Sequence, residues 1–435
     1  MTTTESQLDT GTGYGRPKPT HDARLTDVGP GTPMGEAMRR YWQPIAVSNA
    51  LTSDRPHRTR ILGEDLIVFR SKRGRAGVVF ERCTHRGSSL YYGRVEEDGI
   101  RCCYHGWKFD EQGHCLEQAC EPGGGQRREV ARQPWYPVEE RYGLVFVYMG
   151  PPDRKPVLPR YDCFEEPLEE GEAFFADIPI PGQEVTGAYS DFNWLQAFEN
   201  AADPVHVAWL HSQHSGYQFG GVGTTGFPEE YFNPATIWDN CSYERTPHGV
   251  MYHEKFERTD ADGTVHAMDW GVELQLPNII ALPDFVEVSA KPRHDCLIFQ
   301  VPSDDTSFRA FFVVRAKSPA RLHSILLGIT QNGKLPHELT EEDKQRYPGD
   351  FEAQGSQGPV TKHSEEVLGT TDKGVVMLRR MLRKMVDDVE AGKDPQNVDR
   401  VDPGPRHVAS RVLLTNMSQG DARALAEEAA PVVSA

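Results

Sequence analysis

Apolar residues follow two rhythms along this chain, and the change from one to the other divides it. From about Trp42 to Gly150 they come as short runs broken by turns: Leu66 to Phe69, a polar turn from Ser71 to Gly77, Val78 to Glu81, and later Gly143 to Met149. Short apolar runs rich in β-branched residues and bounded by turn residues predict strands, so this stretch is expected to be an all-β module. Pro151, Pro152, Pro156 and Pro159 then punctuate a linker. Beyond it Ala173 to Ile180 alternates like a strand, and the period changes between Asp191 and His211. There Phe192, Leu195, Phe198 and Glu199 recur at helical spacing, and Asp203-Pro204 reads as an N-cap followed by the first residue of a second helical run. Gly249 to Arg258, His266 to Leu276, Val286 to Lys291, Asp295 to Val301 and Phe308 to Ala316 alternate like antiparallel strands. Thr371 to Ala391 sets Val375, Val376, Leu378, Met381, Leu382, Met385 and Val389 at helical spacing and closes at Gly392. The second half is therefore expected to be α+β, a twisted antiparallel sheet covered by helices.

The beginning of the chain reads differently. Residues 1 to about 22 are polar and rich in Gly and Pro, which predicts a loosely attached segment. Gly29-Pro-Gly-Thr-Pro-Met-Gly35 has the wrong glycine spacing for a dinucleotide loop, and no apolar strand precedes it. Thr32 as N-cap and Pro33 as first helical residue instead start a short helix through Arg39, Arg40 and Tyr41. The expected organisation is an N-terminal segment with a short helix at 1–41, a β domain at 42–152 and an α+β domain at 153–435.

Composition narrows the class of protein. The 435 residues exceed one ordinary domain, and 38% hydrophobic with 26% charged residues is a globular balance. No run of ~18 apolar residues exists to span a membrane, and the first thirty residues lack an apolar signal core, so a cytoplasmic protein is expected. A net charge of −17 argues against nucleic acid as partner. Eight cysteines are too few for a disulfide scaffold. Cys115, Cys120, Cys163, Cys241 and Cys296 are expected to be ordinary buried or semi-exposed thiols.

The chemistry concentrates between Cys83 and His105, which reads C-x-H, sixteen residues, then C-x-x-H. Each of two loops thus offers one thiolate and one imidazole, which suits a [2Fe–2S] cluster with cysteines on one iron and histidines on the other. Zinc also takes two cysteines and two histidines, but its loops commonly separate the two ligand types. Gly87 and Gly106 sit where a loop backbone passes close to a cluster. The pattern resembles a Rieske centre, with Cys83, His85, Cys102 and His105 as cluster ligands. Cys103 occupies the slot that this family gives to proline and is expected to be a buried packing residue. Rieske electron carriers resemble C-T-H-L-G-C and C-P-C-H-G-S, with a disulfide between the loops. Here those cysteine positions are Ser88 and Tyr104, and Trp107 after the glycine resembles the oxygenase version.

A second motif follows, Asn200-x-x-Asp203-x-x-His206-x₄-His211, which is similar to the mononuclear iron motif of Rieske oxygenases. Two histidines and one carboxylate leave iron positions open for O₂ and substrate. Residues five apart lie ~140° apart on a regular helix, so His206 and His211 can share a site only if a turn widens, as in a π-bulge. Without that, they are core histidines. Asp350-Phe-Glu-Ala-Gln-Gly-Ser-Gln-Gly358 is similar to the family segment in which an aspartate precedes Q-x-S-x-G, which implies Asp350 as third ligand and Glu352 as its runner-up. The plainer reading of both acids is a helix start favoured by the dipole. His214 lies two residues past the histidine pattern and is read as a neighbour of the site or a surface residue.

The resemblance, running from Gly29 to near Gly392, is to the terminal oxygenases of the phthalate-dioxygenase-like and aryl-ether O-demethylase group. It implies a helix-grip, START-like catalytic domain, mononuclear Fe(II), and O₂ as co-substrate. NAD(P)H electrons arrive only through a separate reductase, with or without a ferredoxin. It also implies a head-to-tail homotrimer in which Asp203 bridges a histidine of the iron site and a cluster histidine of the neighbouring subunit, with Asn200 supporting the iron ligands. The implied reaction is hydroxylation or O-demethylation of an aromatic acid, with cis-dihydroxylation as runner-up and a Rieske electron carrier without catalysis as the reading from another class. Phe192, Trp209, Tyr217, Phe219 and Phe285 are pocket candidates or core. Arg86, Arg94, Arg101 and Lys108 flank the cluster ligands as a basic spot where a reductase is expected to dock.

Overall fold

The computed structural model describes residues 13, 16–176, 183–216, 237–259, 261–283, 294–316, 334 and 338–415. Its first part is a run of short strands: β1 (Trp42–Val47), β2 (His57–Ile61), β3 (Glu64–Arg70), β4 (Ala76–Phe80), β5 (Arg94–Glu96), β6 (Gly99–Arg101), β7 (Trp107–Phe109), β8 (Cys115–Gln118), β9 (Trp135–Tyr136), β10 (Val138–Arg141) and β11 (Leu144–Tyr148). They pair antiparallel into three small sheets, ordered β1-β11-β10, β2-β3-β4-β9 and β5-β6-β7-β8. β1 and β11 are buried at every position, which requires cover on both faces. The second part supplies one of those covers.

That part is built on β12 (Ala173–Phe175), β13 (Gln183–Glu184), β14 (Gly187–Ser190), β15 (Cys241–Arg245), β16 (Gly249–Thr259), β17 (Val265–Gln275), β18 (Ile279–Pro283), β19 (His294–Asp304), β20 (Ser307–Ala316) and β21 (Arg411–Thr415). All join one antiparallel sheet along the path β13-β14-β20-β19-β18-β17-β16-β15, with β12 on β20 and β21 on β17. Three backbone hydrogen bonds tie the two parts: Val47 N–H donates to the Val185 carbonyl at 2.8 Å, Leu62 N–H to Pro302 at 2.9 Å, and Gly63 N–H to Ser303 at 2.8 Å. Phe146 meets Phe299 edge to face with ring centroids 5.7 Å apart, so a single apolar core runs through the junction.

Helices cover the sheet: α1 (Ala23–Thr26), α2 (Pro33–Met38), α3 (Asp162–Glu165), α4 (Trp194–Asn200), α5 (Val205–Ala208), α6 (Ile237–Asn240), α7 (Glu341–Arg346), α8 (Asp350–Gly355) and α9 (Lys373–Glu390). Of the stripe expected from the sequence, α9 buries Val375, Leu378, Met381, Leu382, Met385 and Val389 and leaves Val376 half-buried, with Val386 buried beside them. Thr32 caps α2 by accepting from Gly35 N–H at 3.2 Å. The α+β expectation holds. Among the described residues no helix is long and apolar enough to cross a membrane.

The structure corrects the reading of the first residues. Arg16 lies 3.5 Å from Glu365, Thr20 and Asp22 bond Ser364 and His363 through their backbone amides, and Arg24 forks onto Asp387 and Glu390 of α9. Leu25 and Val28 are fully buried. The segment from Arg16 onward is thus fastened by ion pairs that local composition does not display, because their partners lie more than 340 positions away. Residues 1–12 and the second half of the Ala173 to Ile180 strand lie outside the described residues, as do Val286 to Lys291.

Candidate metal centres

Two loops carry the first motif, and they close in the same way. Cys83 N–H donates to Ser88 O and Cys102 N–H to Trp107 O, both at 2.8 Å, while Gly87 and Gly106 N–H return to the Cys83 and Cys102 carbonyls at 2.8 and 3.2 Å. That turn needs a positive φ at the glycine, +78° at Gly87 and +66° at Gly106, a region costly for any residue with a Cβ. The cysteines point inward, at 2% and 3% exposure, into a small core of Ile67, Phe69, Val79, Leu90, Val95, Ile100 and Phe109. The histidines sit outward and half-buried, their rings 4.7 Å apart. Trp107 stacks on His85 at 4.3 Å, and the Tyr104 ring lies 3.9 Å from His105.

The two sulfurs compete for one proton. The hydrogen bond from Cys83 holds the Cys102 thiol well below its ordinary value, aided by the N–H groups of Tyr104 and His105, and the same bond pushes Cys83 up. A metal that takes both as thiolates relieves that competition, so the donor set fits an iron–sulfur cluster. Two braces escaped the sequence. Buried Gln133 accepts from Thr84 N–H at 2.8 Å and donates to the Phe80 and Arg82 carbonyls at 2.9 and 3.0 Å, fixing the first loop. Arg101 donates to the Gly106 carbonyl at 2.7 Å, fixing the second. A lone glutamine between Arg132 and Pro134 carries no pattern that would have marked it.

Two expectations fail here. Cys103 is exposed rather than buried, its Sγ 3.9 Å from Ser88 Oγ, because the tight turn that sends Cys102 inward sends its neighbour out. The basic spot is mostly neutralised. Arg101 pairs with Glu96 and Glu117 at 2.7 Å each, Lys108 with Asp98 at 2.9 Å, and Arg94 with Glu96 at 2.6 Å. Strand pairing sets these acids beside the bases, which sequence distance alone does not reveal. Arg86 instead lies over the Tyr104 ring, 5.8 Å from its centroid.

The second motif folds around a widened turn. Asn193 caps α4 by accepting from Leu195 N–H at 3.0 Å, leaving Phe192 in the core against Phe308 rather than inside the helix. Asp203 accepts from Val205 N–H at 3.0 Å, so α5 starts one residue later than expected. From Trp209 to His214 the backbone is a π-helix, closed by Ser215 N–H to Leu210 O at 3.2 Å. It brings His211 round to the side of His206. Their Nε2 atoms lie 3.3 and 3.5 Å from a single oxygen of Asp350. One ligand atom from each of the three falls within 4.8 Å of the others.

Asp350 opens α8, while Glu352 turns back to accept from Gly349 N–H at 3.0 Å and takes no place among the histidines. Asn200 Nδ2 donates to the same Asp350 oxygen at 3.2 Å. His206 Nδ1 bonds the Asp203 carbonyl, which directs its Nε2 lone pair at Asp350. A lone pair facing a carboxylate oxygen repels unless a proton or cation lies between them. Accordingly, although burial alone would raise the Asp350 carboxyl, His206 and His211 hold it far below the usual range, and Asp350 lifts His206 against its own burial. This donor set fits a divalent metal. Burial also raises the Asp203 carboxyl. His214 is exposed, Trp209 is 58% exposed, and Tyr217, Phe219 and Phe285 lie outside the described residues.

A β module whose tip presents paired Cys–His loops, joined through one apolar core to a large helix-covered antiparallel sheet, has the donor set of an iron–sulfur protein with a second candidate metal site. The comparisons agree: residues 41–131 match the Rieske [2Fe–2S] domain. The phenoxybenzoate dioxygenase subunit alpha of Ectopseudomonas oleovorans is 48% identical over 87% of this chain and 87% of its own length. The 5,5'-dehydrodivanillate O-demethylase oxygenase subunit of Sphingobium sp. is 31% identical over 87% of this chain and 82% of its own. Dicamba monooxygenase shares the fold, with TM-score 0.56 at 18% identity over 82% of this chain and 99% of that one. The chain belongs to the Rieske non-haem iron oxygenase family, and it is a terminal oxygenase.

Proposed function

We propose that this oxygenase uses O₂ and electrons from a separate reductase to hydroxylate or O-demethylate an aromatic acid. The convergence of His206, His211 and Asp350, on a chain that also carries a Rieske domain, supports this reading most directly. Iron(II) held by that triad supplies the oxygen chemistry, since a two-histidine, one-carboxylate set leaves positions open for O₂ and substrate. Cys83, His85, Cys102 and His105 hold the cluster in a domain spanning 42–152, and residues 153–435 form the catalytic domain. Asn200 orients Asp350. Asp203 orients His206 through its carbonyl and presents its carboxylate for the cluster histidine of a neighbouring subunit in a head-to-tail trimer, a heterologous ring.

The aromatic-acid assignment is supported by relatives whose names specify phenoxybenzoate, dehydrodivanillate and phthalate. Two of these carry aryl ethers, so an aryl-ether carboxylate is the first substrate to try. The dioxygenase names of the phenoxybenzoate and phthalate relatives favour cis-dihydroxylation as a second reading. The test is turnover of aryl-ether and phthalate-type acids under ¹⁸O₂ with a surrogate reductase and NADH. Ring hydroxylation is expected to leave one labelled oxygen in the aromatic product and O-demethylation to send it into the released formaldehyde with the phenol oxygen unlabelled, two labelled oxygens on the ring assign dihydroxylation, and NADH-driven turnover by the purified chain alone would refute the two-component architecture. Metal analysis is expected to give about three irons and about two acid-labile sulfides per chain, two irons and both sulfides being the cluster's. Zinc without sulfide removes the whole reading.

A further inference from the structure

α9 lies beyond the metal ligands in the chain, yet it grips the segment that supports them. Arg379, on its buried face at 6% exposure, forks onto Glu199 through Nε at 2.5 Å and Nη2 at 2.7 Å. The same guanidinium forks onto Glu366 at 2.5 and 2.9 Å. Glu199 is the residue before Asn200, in the last turn of α4. Five residues earlier on α9, Gly374 seats against the loop that follows α4: a Cβ there would fall 2.3 Å from the Ala202 carbonyl oxygen. One helix therefore fixes the Glu199–Asp203 stretch at both ends. A bidentate, buried guanidinium–carboxylate pair fixes direction as well as distance, which a lysine at the same place does not.

We propose that Arg379 is a positioning residue for the iron site, acting through Glu199 on Asn200. The Asn200 amide donates to the Asp350 oxygen that both imidazoles face, so a shift of the α4 end moves that carboxylate out of line with His206 and His211. The inference rests on the triad being the iron site and adds what holds it in register. Glu366 gives the guanidinium a second carboxylate partner, and burial raises the Glu199 carboxyl even against the pull of Arg379.

The experiment strips the mononuclear site of cluster-loaded protein and measures anaerobic equilibrium dialysis of iron(II), with thermal unfolding followed by far-ultraviolet circular dichroism as the check on the fold around α4 and α9. Arg379→Lys is expected to weaken iron(II) binding about tenfold, and Asn200→Ala by about as much, the range for losing a partner that orients a ligand. The double variant is expected to be no more than ~2-fold weaker than Asn200→Ala alone, because the clamp acts through that amide. Additive losses in the double variant, or unchanged affinity in Arg379→Lys, overturn the inference. Should Arg379→Lys lose its cooperative thermal unfolding, Glu199→Gln replaces it, since that change leaves Arg379 paired with Glu366; the same non-additivity with Asn200→Ala is expected. Iron(II) uptake that survives in Asp350→Ala overturns the triad itself, a result distinct from failure of the clamp.

Discussion

The two candidate metal sites are assembled by opposite means. At the cluster tip all four candidate ligands fall between Cys83 and His105, on two loops that repeat one hydrogen-bonded turn and lean on a small core of their own. At the second site the carboxylate comes from 139 positions beyond His211, and the histidines meet only because a helix abandons regular geometry. Local closure makes the first site a nearly self-sufficient unit. The second depends on the docking of α4, α8 and α9, so its geometry is as good as the packing of the domain. A site of the first kind is held by loop conformation, and one of the second by buried polar contacts such as those of Asn200 and Arg379.

The largest test of this contrast is to remove one ligand from each site. Cys102→Ser is expected to abolish the cluster's visible absorption while iron(II) binding at the second site persists. Asp350→Ala is expected to abolish that binding with the absorption intact. Loss of both metals in either variant would break the comparison, since it would mean that the sites are not independent. Cys103→Ser should keep the cluster, because its side chain points to solvent.

The same contrast explains what could be read from the chain. Ligands clustered in sequence announced the cluster loops, and the five-residue spacing of the histidines demanded the π turn that the structure contains. Asp350 was reached only by resemblance of the surrounding segment, and nothing local separated it from Glu352. The structure separates them: Glu352 turns back to the Gly349 N–H three residues before it, while Asp350 faces two histidines brought from far along the chain. Arg379 and Gln133 carried no local mark, and Glu199 was read only as a member of a helical spacing, because the partners of all three are defined by packing. The sheet was legible as alternation, but not the pairing of β12 with β20 or β21 with β17, which depends on chain closure over long distances. Surface charge was misread because Arg101 and Lys108 meet their acids across strands.

Strain in the loops gives a smaller effect. Gly106→Ala places a Cβ 2.9 Å from that of Ala119 at a φ of +66°, whereas Gly87→Ala meets nothing within 4 Å and suffers only the backbone term. That term is about 1–2 kcal/mol. Thermal loss of cluster absorption is therefore expected earlier in Gly106→Ala than in Gly87→Ala, with iron(II) affinity at the second site unchanged in both. Equal midpoints would show that the Ala119 contact yields.

Smaller again is the charge lock beneath the cluster. The Arg101 guanidinium, against partial burial and with help from Arg94, holds the Glu96 carboxyl at about 2, below its ordinary 4.5. A depressed carboxylate stabilises the fold above its unfolded value and loses that contribution as pH falls through the folded one. The difference in cluster-bleaching temperature between wild type and Glu96→Gln is thus expected to be constant above pH ~5 and to shrink between about 4.5 and about 2. A difference that does not change with pH would mean that Glu96 acts by shape alone.

The smallest effect concerns the partner at the tip. Arg101, Lys108 and the exposed Arg94 are paired to acids, whereas Arg86 lies over the Tyr104 ring. Electrostatic complementarity chiefly sets encounter rates, and an internally neutralised surface steers weakly beyond the ~10 Å screening length at about 0.1 M salt. Reductase-driven turnover is therefore expected to fall only gently with salt. Arg86→Glu should slow it roughly threefold at low salt and less at high salt, leaving cluster absorption and the single-turnover rate of the pre-reduced protein unchanged. A steep salt dependence that survives Arg86→Glu would place the docking charges elsewhere on the molecule. A fall in the single-turnover rate would show that Arg86 acts on the cluster through Tyr104 and His105, and the tip would then be less self-sufficient than its closed loops imply.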